Sequence, residues 1–505
     1  MSHPISRRSF LTGAAATAGA LSCSSEPDQS ASVPNIVLCM GDDHGWHETG
    51  YNGHPHVRTP VLDDMASTGL RLDRFYAAAP VCSPTRASVM TGRHPNRIGT
   101  FSANWSIRPQ EITIAQILKN AGYACGHFGK WHLGPVKAES PTSPGAMGFE
   151  EWLSHDNFFE MDPYLSHNGG PPEKHEGESS KIIVDAARQF ISRARAAGRP
   201  FFVVIWFGSP HEPYSGLESD LEAYSDLPPV LQESSTGITS METGLRTEVR
   251  LDRVLQARFA EITAMDRAIG ELREHLSDEG VRQDTLLWYC SDNGAPSESR
   301  FESPMRAQKG QVYEGGVRVP AVIDWPRRFP EPRSTPVHGV TSDILPTLCD
   351  LTGQDLPNRP LDGISLVPVF DGSMDERPEP VCFWSFSRNP EHGTEPYIDP
   401  ELQAGTTPLV KYMDGRLTRN FRNFHHPEIE EGDFDGRRAI LDTRYKLVIE
   451  GEGEGSGPEL FDIRADPAES NNLASSEPEE VDRLEQELRQ WQQSVLESLT
   501  GADYS

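Results

Sequence analysis

The stretch Asn35-Ile-Val-Leu-Cys-Met-Gly-Asp-Asp43 decides the fold class of this chain. Its apolar residues follow one another without alternation, which predicts a strand buried on both faces, as in a parallel sheet covered by helices. Asp42 and Asp43 follow at the carboxyl end of that strand, where open α/β sheets place their ligands. Adjacent carboxylates repel each other unless a cation holds them. The stretch therefore predicts a central strand with a metal site at its end.

Three further apolar runs repeat this pattern of a buried strand that ends in polar residues. The runs are Tyr123–Phe128, Pro200–Phe207 and Thr285–Ser291, and helical patterns lie at about 112–121, 180–197 and 256–277. The polar residues that follow the three runs are Lys130 and His132, His211, and Asp292 and Asn293. This alternation predicts an α/β fold with a large, mostly parallel central sheet flanked by helices. We expect the polar residues to share one edge of that sheet.

A cysteine precedes a predicted helix in the run Cys82-Ser-Pro-Thr-Arg-Ala-Ser-Val-Met-Thr-Gly-Arg93. Pro84 fixes its own φ and keeps Ser83 extended, so we expect Cys82 at or just before the helix N-terminus. Free backbone N–H groups and the helix dipole favour an anion there. Arg86, one turn further on, adds a guanidinium suited to a tetrahedral oxyanion. The alternative is a small buried cysteine with no chemical role.

This run resembles the signature of the sulfatase family, Cys-x-Pro-x-Arg followed by Thr-Gly-Arg. Thr85 stands where the family more often has Ser, and Val89-Met90 replaces a commoner Leu. The segments 129–134 (Gly-Lys-Trp-His-Leu-Gly) and 459–467 also resemble family motifs, so the likeness covers nearly all of the chain after residue 34. It implies the alkaline-phosphatase-like fold and a formylglycine-dependent type I sulfatase, of the arylsulfatase and N-acetylgalactosamine-6-sulfatase kind.

The resemblance implies that Cys82 is oxidised after translation to formylglycine, whose aldehyde hydrates to a geminal diol. A sulfated diol can expel sulfate by reforming its carbonyl, whereas a sulfated serine or thiol would be a stable adduct. The implied partner is a formylglycine-generating enzyme or an anaerobic sulfatase-maturating enzyme.

The resemblance also implies a divalent cation, with calcium the first choice and magnesium the second. Its implied ligands are Asp42, Asp43, Asp292, Asn293 and oxidised Cys82. Arg86 would act with the cation on the diol and the sulfate.

Four further side chains take catalytic roles by resemblance. Lys130 and Lys309 would hold the remaining sulfate oxygens as charge builds in the transition state. His211 would protonate the departing alcohol, and His132 would take the diol proton when sulfate is expelled.

Composition limits the function classes further. The 505 residues carry a formal net charge of −29 and no basic block, which argues against nucleic-acid binding. The seven cysteines form no CxxC pair, and Cys39, Cys125 and Cys290 lie in apolar runs typical of buried thiols. Two rival classes stay open at this point: a phosphomonoester or phosphodiester hydrolase of the same superfamily, and an inactive binding protein on the same scaffold.

The first 34 residues predict export. Arg7-Arg8 before a weakly apolar run has the form of a twin-arginine signal over 1–23, and 24–34 has the composition of a linker. The run is too short to span a membrane. Cys23 is a loose lipoprotein processing site, with cleavage after Ala18-Gly19-Ala20 as the alternative. We expect a periplasmic protein, with a lipid anchor in the outer membrane if Cys23 is processed.

The composition of the sequence changes near residue 375. We predict a catalytic domain over 35–375 and a C-terminal subdomain over 376–505, with antiparallel strands and one helix. Residues 387–436 are rich in Pro, Gly, His and charge and form a predicted insertion.

Polar loops suggest a carbohydrate substrate. We predict excursions at 139–178, 208–250 and 387–436 that leave from the catalytic edge and recognise a hydroxyl-rich ligand, such as the end of a sulfated oligosaccharide. There are two alternatives. The substrate is a small aryl sulfate, or the loops are solvent-exposed and take no part in substrate binding. The residues singled out in these loops are His155, Asn157, His175, Glu212, Tyr214, Arg388, His392, His425 and His426.

Overall fold

A ten-stranded mixed sheet is the core of the computed structural model, which describes residues 33–240, 244–387, 394–408, 418–451 and 457–504. The strands of these described residues are β1 (Asn35–Gly41), β2 (Leu70–Leu72), β3 (Phe75–Tyr76), β4 (Ala124–Lys130), β5 (Glu151–His155), β6 (Tyr164–His167), β7 (Glu173–Lys174), β8 (Phe201–Trp206), β9 (Ser235–Thr239), β10 (Arg246–Arg250), β11 (Thr285–Ser291), β12 (Arg318–Val319), β13 (Ala321–Asp324), β14 (Arg333–Thr335), β15 (Gly339–Val340), β16 (Val381–Trp384), β17 (Arg438–Leu441), β18 (Tyr445–Ile449) and β19 (Glu459–Asp462). The α-helices are α1 (Pro60–Thr68), α2 (Cys82–Thr91), α3 (Ile114–Asn120), α4 (Ser179–Ala196), α5 (Glu218–Glu222), α6 (Leu251–Asp278), α7 (Glu314–Val317), α8 (Ile344–Thr352), α9 (Val367–Asp371) and α10 (Pro478–Leu499).

The predicted α/β class is confirmed. The sheet has the order β14-β2-β13-β11-β1-β8-β4-β5-β6-β7. The central strands β11, β1, β8, β4 and β5 pair in parallel, whereas β13 and β6 join them antiparallel. Gly41 lies opposite Ser291, and Trp206 lies opposite both Met40 and Gly129, so four strands end at one edge. The polar residues that follow those strands are therefore brought together.

Both faces of β1 are covered, as its unbroken apolar run predicts. Val37 and Cys39 belong to the hydrophobic cluster that contains residues of α4 and α6, while Leu38 and Met40 belong to the cluster on the opposite face. Both helices present a long apolar stripe to the sheet, as the sequence pattern indicates. The predicted thiols Cys39, Cys125 and Cys290 are all buried and free.

The prediction of a surface excursion over 139–178 is wrong for its middle part. β5 pairs in parallel with β4 and extends the main sheet, and β6 and β7 follow it antiparallel. Ser154 and His155 interrupt the apolar pattern of β5, which hides the strand in the sequence. Buried polar side chains are tolerated when they form hydrogen bonds. The Ser154 hydroxyl, for example, lies 2.8 Å from His127 Nδ1.

The predicted antiparallel strands and final helix after residue 375 are present. β16, β17, β18 and β19 form a four-stranded antiparallel sheet, against which α10 packs Leu484 and Leu488. The Lys446 Nζ of β18 lies 3.0 Å from carboxylate oxygens of Glu314 and of Glu469, all three side chains being buried. Glu314 belongs to the preceding part of the chain, so this buried ion pair joins the two parts. Pro34–Ser505 accordingly forms one compact unit. The boundary at residue 375 stays a prediction.

The predicted signal and processing site, with Arg7, Arg8 and Cys23, lie outside the described residues. Within the described part, we find no helix with both the length and the apolar character needed to cross a bilayer.

Candidate active site

The shared edge of the sheet gathers all ten residues that the sequence singles out for the site. Asp42 and Asp43 follow β1, Asp292 and Asn293 follow β11, and Lys130 ends β4. Cys82 and Arg86 lie on α2, and the remaining members are His132, His211 and Lys309. Eight of the ten are buried, while His211 and Lys309 keep side-chain exposures of 14% and 24%. The site is therefore a buried cluster reached past His211 and Lys309.

Lysines and an amide surround the two adjacent carboxylates. Lys130 Nζ donates to Asp42 Oδ2 at 2.5 Å, and Lys309 Nζ lies 2.6 Å from Asp43 Oδ1. Asn293 Nδ2 donates to the same Asp43 oxygen at 2.8 Å. Burial raises the pKa of Asp43, but Lys309 and His211 outweigh it, so the net pKa lies below its usual range. Asp43 is therefore ionised at neutral pH.

Cys82 is the first residue of α2, as predicted. Its Sγ lies 3.6 Å from Asp42 Oδ1 and 3.9 Å from Asp43 Oδ1. Burial raises the pKa of the Cys82 thiol to about 12, against the opposing effect of Lys130 and Lys309. Because the thiolate is the nucleophilic form of cysteine, unmodified Cys82 is a poor nucleophile here. Gly92 closes the helix with φ 70°, a left-handed conformation that explains the glycine of the Thr-Gly-Arg motif.

Arg86 is held by Asp292 and by a backbone carbonyl rather than left free. Its Nε and Nη2 donate to Asp292 Oδ2 at 3.1 and 2.7 Å, and Nη1 donates to the Lys130 carbonyl at 3.2 Å. The guanidinium also lies over the Trp206 ring, 5.0 Å from its centroid. Arg86 thus fixes the orientation of Asp292; its predicted action on the nucleophile and sulfate stays a prediction.

The oxygen-rich cluster fits a divalent cation. Ligand atoms of Asp42, Asp43, Cys82 and His211 lie within 4.8 Å of one another. The buried Asn293 Oδ1 has no hydrogen-bond partner. Burial, and next Asp42, raise the pKa of Asp292 to about 6, because neighbouring buried carboxylates are costly to ionise together. Carboxylate and amide oxygens are hard ligands of the kind calcium and magnesium prefer. The assignment of individual ligands stays a prediction.

His211 lies at the open side of the cluster. Its Nε2 is 3.7 Å from Asp43 Oδ2, and its ring stacks on Phe158 with centroids 4.8 Å apart and planes 13° apart. Burial lowers the pKa of His211 to about 3, with Lys309 and Lys130 contributing and Asp43 opposing. A general acid must carry the proton, so the predicted acid role of His211 requires a bound anion that raises its pKa.

His132 contacts an asparagine that the sequence pattern does not reveal. Its Nε2 lies 3.0 Å from Asn104 Oδ1 and accepts from the Asn104 backbone N–H at 3.2 Å. Burial, and next Lys130, hold the pKa of His132 well below its usual range, so the imidazole is neutral and able to take a proton. Asn157 Nδ2 donates to Asn104 Oδ1 at 3.3 Å. Asn104 is therefore a further member of the site.

Most of the loop residues proposed for substrate recognition have other partners. Glu212 accepts from Arg246, the Tyr214 hydroxyl donates to Glu298, and His426 contacts Asp433. His425 stacks on Tyr397, and His155 is buried at the end of β5. His175 follows β7 at the far edge of the sheet, and Arg388 and His392 lie outside the described residues. Of the seven that the structure describes, Asn157 contacts the site through Asn104.

The fold and the site together define a hydrolase that handles an anionic ester at the edge of an α/β sheet, and comparison with known proteins gives the family. A family model described as Sulfatase matches residues 34–354. N-acetylgalactosamine-6-sulfatase of Canis lupus familiaris is 30% identical over 386 residues, which cover 68% of this chain and 67% of that protein. Arylsulfatase A of Homo sapiens is 31% identical over 392 residues, with coverages of 70% and 71%. The chain belongs to the sulfatase family and is an enzyme that hydrolyses sulfate esters.

Solved structures show the same fold. The crystal structure of Ps i-CgsB in complex with k-i-k-neocarrahexaose has a TM-score of 0.71 and 23% sequence identity, and covers 91% of this chain and 93% of that chain. The prediction of a sulfatase fold is confirmed.

Proposed function

We propose that this sulfatase removes sulfate from a carbohydrate, using formylglycine formed from Cys82 and a divalent cation, with calcium the first choice and magnesium the second. The observation that carries the mechanism is the position of Cys82. Its Sγ lies at the N-terminus of α2, less than 4 Å from two carboxylates, yet its thiol is neutral. A hydrated aldehyde at this position would supply the nucleophile that the thiol cannot, and the bound cation would supply Lewis-acid stabilisation of developing negative charge.

The chain's own cations act on the sulfate group. Lys130 and Lys309 contact Asp42 and Asp43, whose carboxylates lie within 3.9 Å of Cys82 Sγ, so both ammonium groups lie near the point where sulfate must bind. Both lysines pair with these carboxylates. A cation held by Asp42, Asp43, Asp292 and Asn293 would neutralise the carboxylates and would leave the lysines available to the sulfate oxygens.

Two histidines move the protons. His211, at the open side of the site, gives its proton to the leaving alcohol. The neutral His132 takes a proton from the nucleophile when sulfate is released, while Asn104 fixes its Nε2. Formation of formylglycine requires a maturating partner, either a formylglycine-generating enzyme or its anaerobic counterpart.

A carbohydrate substrate has two supports. One relative is named for N-acetylgalactosamine 6-sulfate, and a solved structure of this fold holds an oligosaccharide. We expect the specificity constant for N-acetylgalactosamine 6-sulfate to exceed that for 4-nitrophenyl sulfate. Sulfate release from both, and phosphate release from 4-nitrophenyl phosphate, measure this directly. Higher turnover of the aryl sulfate than of a panel of sulfated saccharides would contradict the carbohydrate assignment, and higher turnover of the phosphate would contradict sulfate specificity.

Export through the twin-arginine route stays part of the proposal. This route carries folded proteins, so Cys82 would be modified before the chain leaves the cytoplasm. We expect Arg7→Lys with Arg8→Lys to retain the protein in the cytoplasm, measured by immunoblotting of cell fractions. Cys23→Ala tests lipid attachment as a separate step. Normal arrival of the double-lysine variant in the periplasm would show that the signal was misinterpreted.

A further inference from the structure

One arginine beside the site has no acidic partner among the described residues. Arg419 lies in the predicted insertion, its Nε is buried without a hydrogen-bond partner, and among the described residues no carboxylate contributes to its charge state. Arg86, in contrast, donates twice to Asp292, and Arg258 pairs with Glu48. A partly buried guanidinium without an acidic partner is unfavourable unless it binds an anion. An arginine without an acidic partner is especially unusual in a chain whose formal net charge is −29.

Arg419 extends a stack that starts at the catalytic histidine. Its Cζ lies 5.1 Å from the centroid of the Phe158 ring, and Phe158 stacks on His211. These spacings place Arg419 no more than about 10 Å from the His211 ring. Its positive charge helps to lower the pKa of His132. Burial lowers the pKa of Arg419 itself, and the nearby Cys82 opposes this change. Arg419 is thus a cation on the leaving-group side of the proposed mechanism, within the reach of a disaccharide.

The segment that carries Arg419 is fixed on both sides. Asn420 forms an antiparallel bridge with Ala404, and the Phe421 N–H donates to the Gln403 carbonyl at 2.9 Å. The Arg422 N–H donates to the carbonyl of Asn104, whose side chain contacts His132, at 3.0 Å. Gly405 permits this close approach, since a Cβ there would lie 2.0 Å from the Arg419 carbonyl oxygen. The backbone beside Arg419 is therefore anchored, and the guanidinium itself lies over the Phe158 ring.

We propose that Arg419 binds a second anionic group, a sulfate or a carboxylate, on the saccharide whose sulfate ester is cleaved. This rests on the proposed function and makes it more specific: the preferred substrate is a doubly anionic saccharide. The planar guanidinium forms paired hydrogen bonds with either group, and one of its faces lies over the Phe158 ring. Arg419 acts on substrate choice and takes no part in the transfer of sulfate.

The test compares substrates that differ in the second anion. Initial sulfate release is measured for N-acetylgalactosamine 6-sulfate, for the 4,6-disulfate, and for a disaccharide that joins the 6-sulfated sugar to a uronic acid. The two doubly anionic substrates distinguish sulfate from carboxylate recognition. We expect kcat/KM to favour at least one of them, and Arg419→Ala to reduce that preference by about 30-fold or more, because a desolvated charge pair is lost. Arg419→Lys should restore part of the preference.

Arg444→Ala is the matched control. It removes an equal charge from the exposed turn after β17, where Arg444 pairs with Asp462, and should leave the preference unchanged. Arg419→Gln serves if Arg419→Ala does not fold, as judged by its melting temperature. Equal losses on all substrates, or no preference in the parent enzyme, would overturn the role of Arg419 while leaving the proposed function intact. Hydrolysis of 4-nitrophenyl sulfate with no turnover of any saccharide would instead contradict the carbohydrate assignment itself.

Discussion

Cys82→Ala is expected to lower kcat/KM for sulfate ester hydrolysis by about 10⁴-fold or more, because it removes the precursor of the covalent nucleophile. The fold should survive, since alanine fits the first turn of α2 and the Cys82 side chain has no strong structural hydrogen bond, its sulfur contacts lying at 3.6 and 3.9 Å. Steady-state kinetics, together with circular dichroism and the melting temperature of the variant, measure both expectations. Peptide mass analysis of the parent protein should show the conversion of Cys82 to formylglycine.

Cys125→Ala is the matched control for the loss of a buried thiol. Cys125 is buried in β4, outside the catalytic cluster, so its replacement should change stability slightly and kcat/KM by less than about threefold. Residual activity of Cys82→Ala within about tenfold of the parent would rule out Cys82 as the source of the nucleophile. An unmodified Cys82 in a fully active sample would exclude the formylglycine mechanism.

Removal of the cation is expected to cause the second large loss. Chelation should inactivate the enzyme, and addition of calcium or magnesium to the metal-free protein should show which ion restores activity. Asp42→Ala and Asp292→Ala should each lower bound metal and reduce kcat/KM by about 100-fold or more, because each removes an oxygen ligand from a buried anionic cluster. Elemental analysis gives the metal content, and kinetics on 4-nitrophenyl sulfate give the rate.

Asp324→Asn separates this effect from the general cost of losing a buried carboxylate. Asp324 ends β13 and pairs with Arg273 and Arg282, outside the site. Its replacement should lower the melting temperature while the metal content stays that of the parent. Full activity in a sample shown to be metal-free would refute the role of the cation. Asp292→Ala also releases Arg86, and Asp42→Ala releases Lys130, so loss of bound metal in both variants is needed to assign the effect to the metal.

The sequence by itself determined the fold class and, with the family resemblance, the set of residues expected at the site. Unbroken apolar runs of this length favour strands covered on both faces, and β1, β8 and β11 lie at the positions of those runs. Parallel strands end at a common edge, so chemical groups far apart in the chain could be placed together without knowing the sheet order. The Cys82 motif is local, and its position at a helix N-terminus followed from Pro84 alone.

Only the tertiary structure decided which polar groups outside these motifs belong to the site. β5 escaped prediction because Ser154 and His155 break its apolar pattern, and their burial depends on hydrogen bonds to residues distant in sequence. Tyr214 and Glu212 appeared suited to a ligand, yet contacts with Glu298 and Arg246 occupy them. Asn104, Phe158 and Arg419 have no sequence pattern that marks them. Their positions come from the docking of 418–424 against 104–105 and of Phe158 against His211, and long-range packing of this kind leaves no periodicity in the sequence.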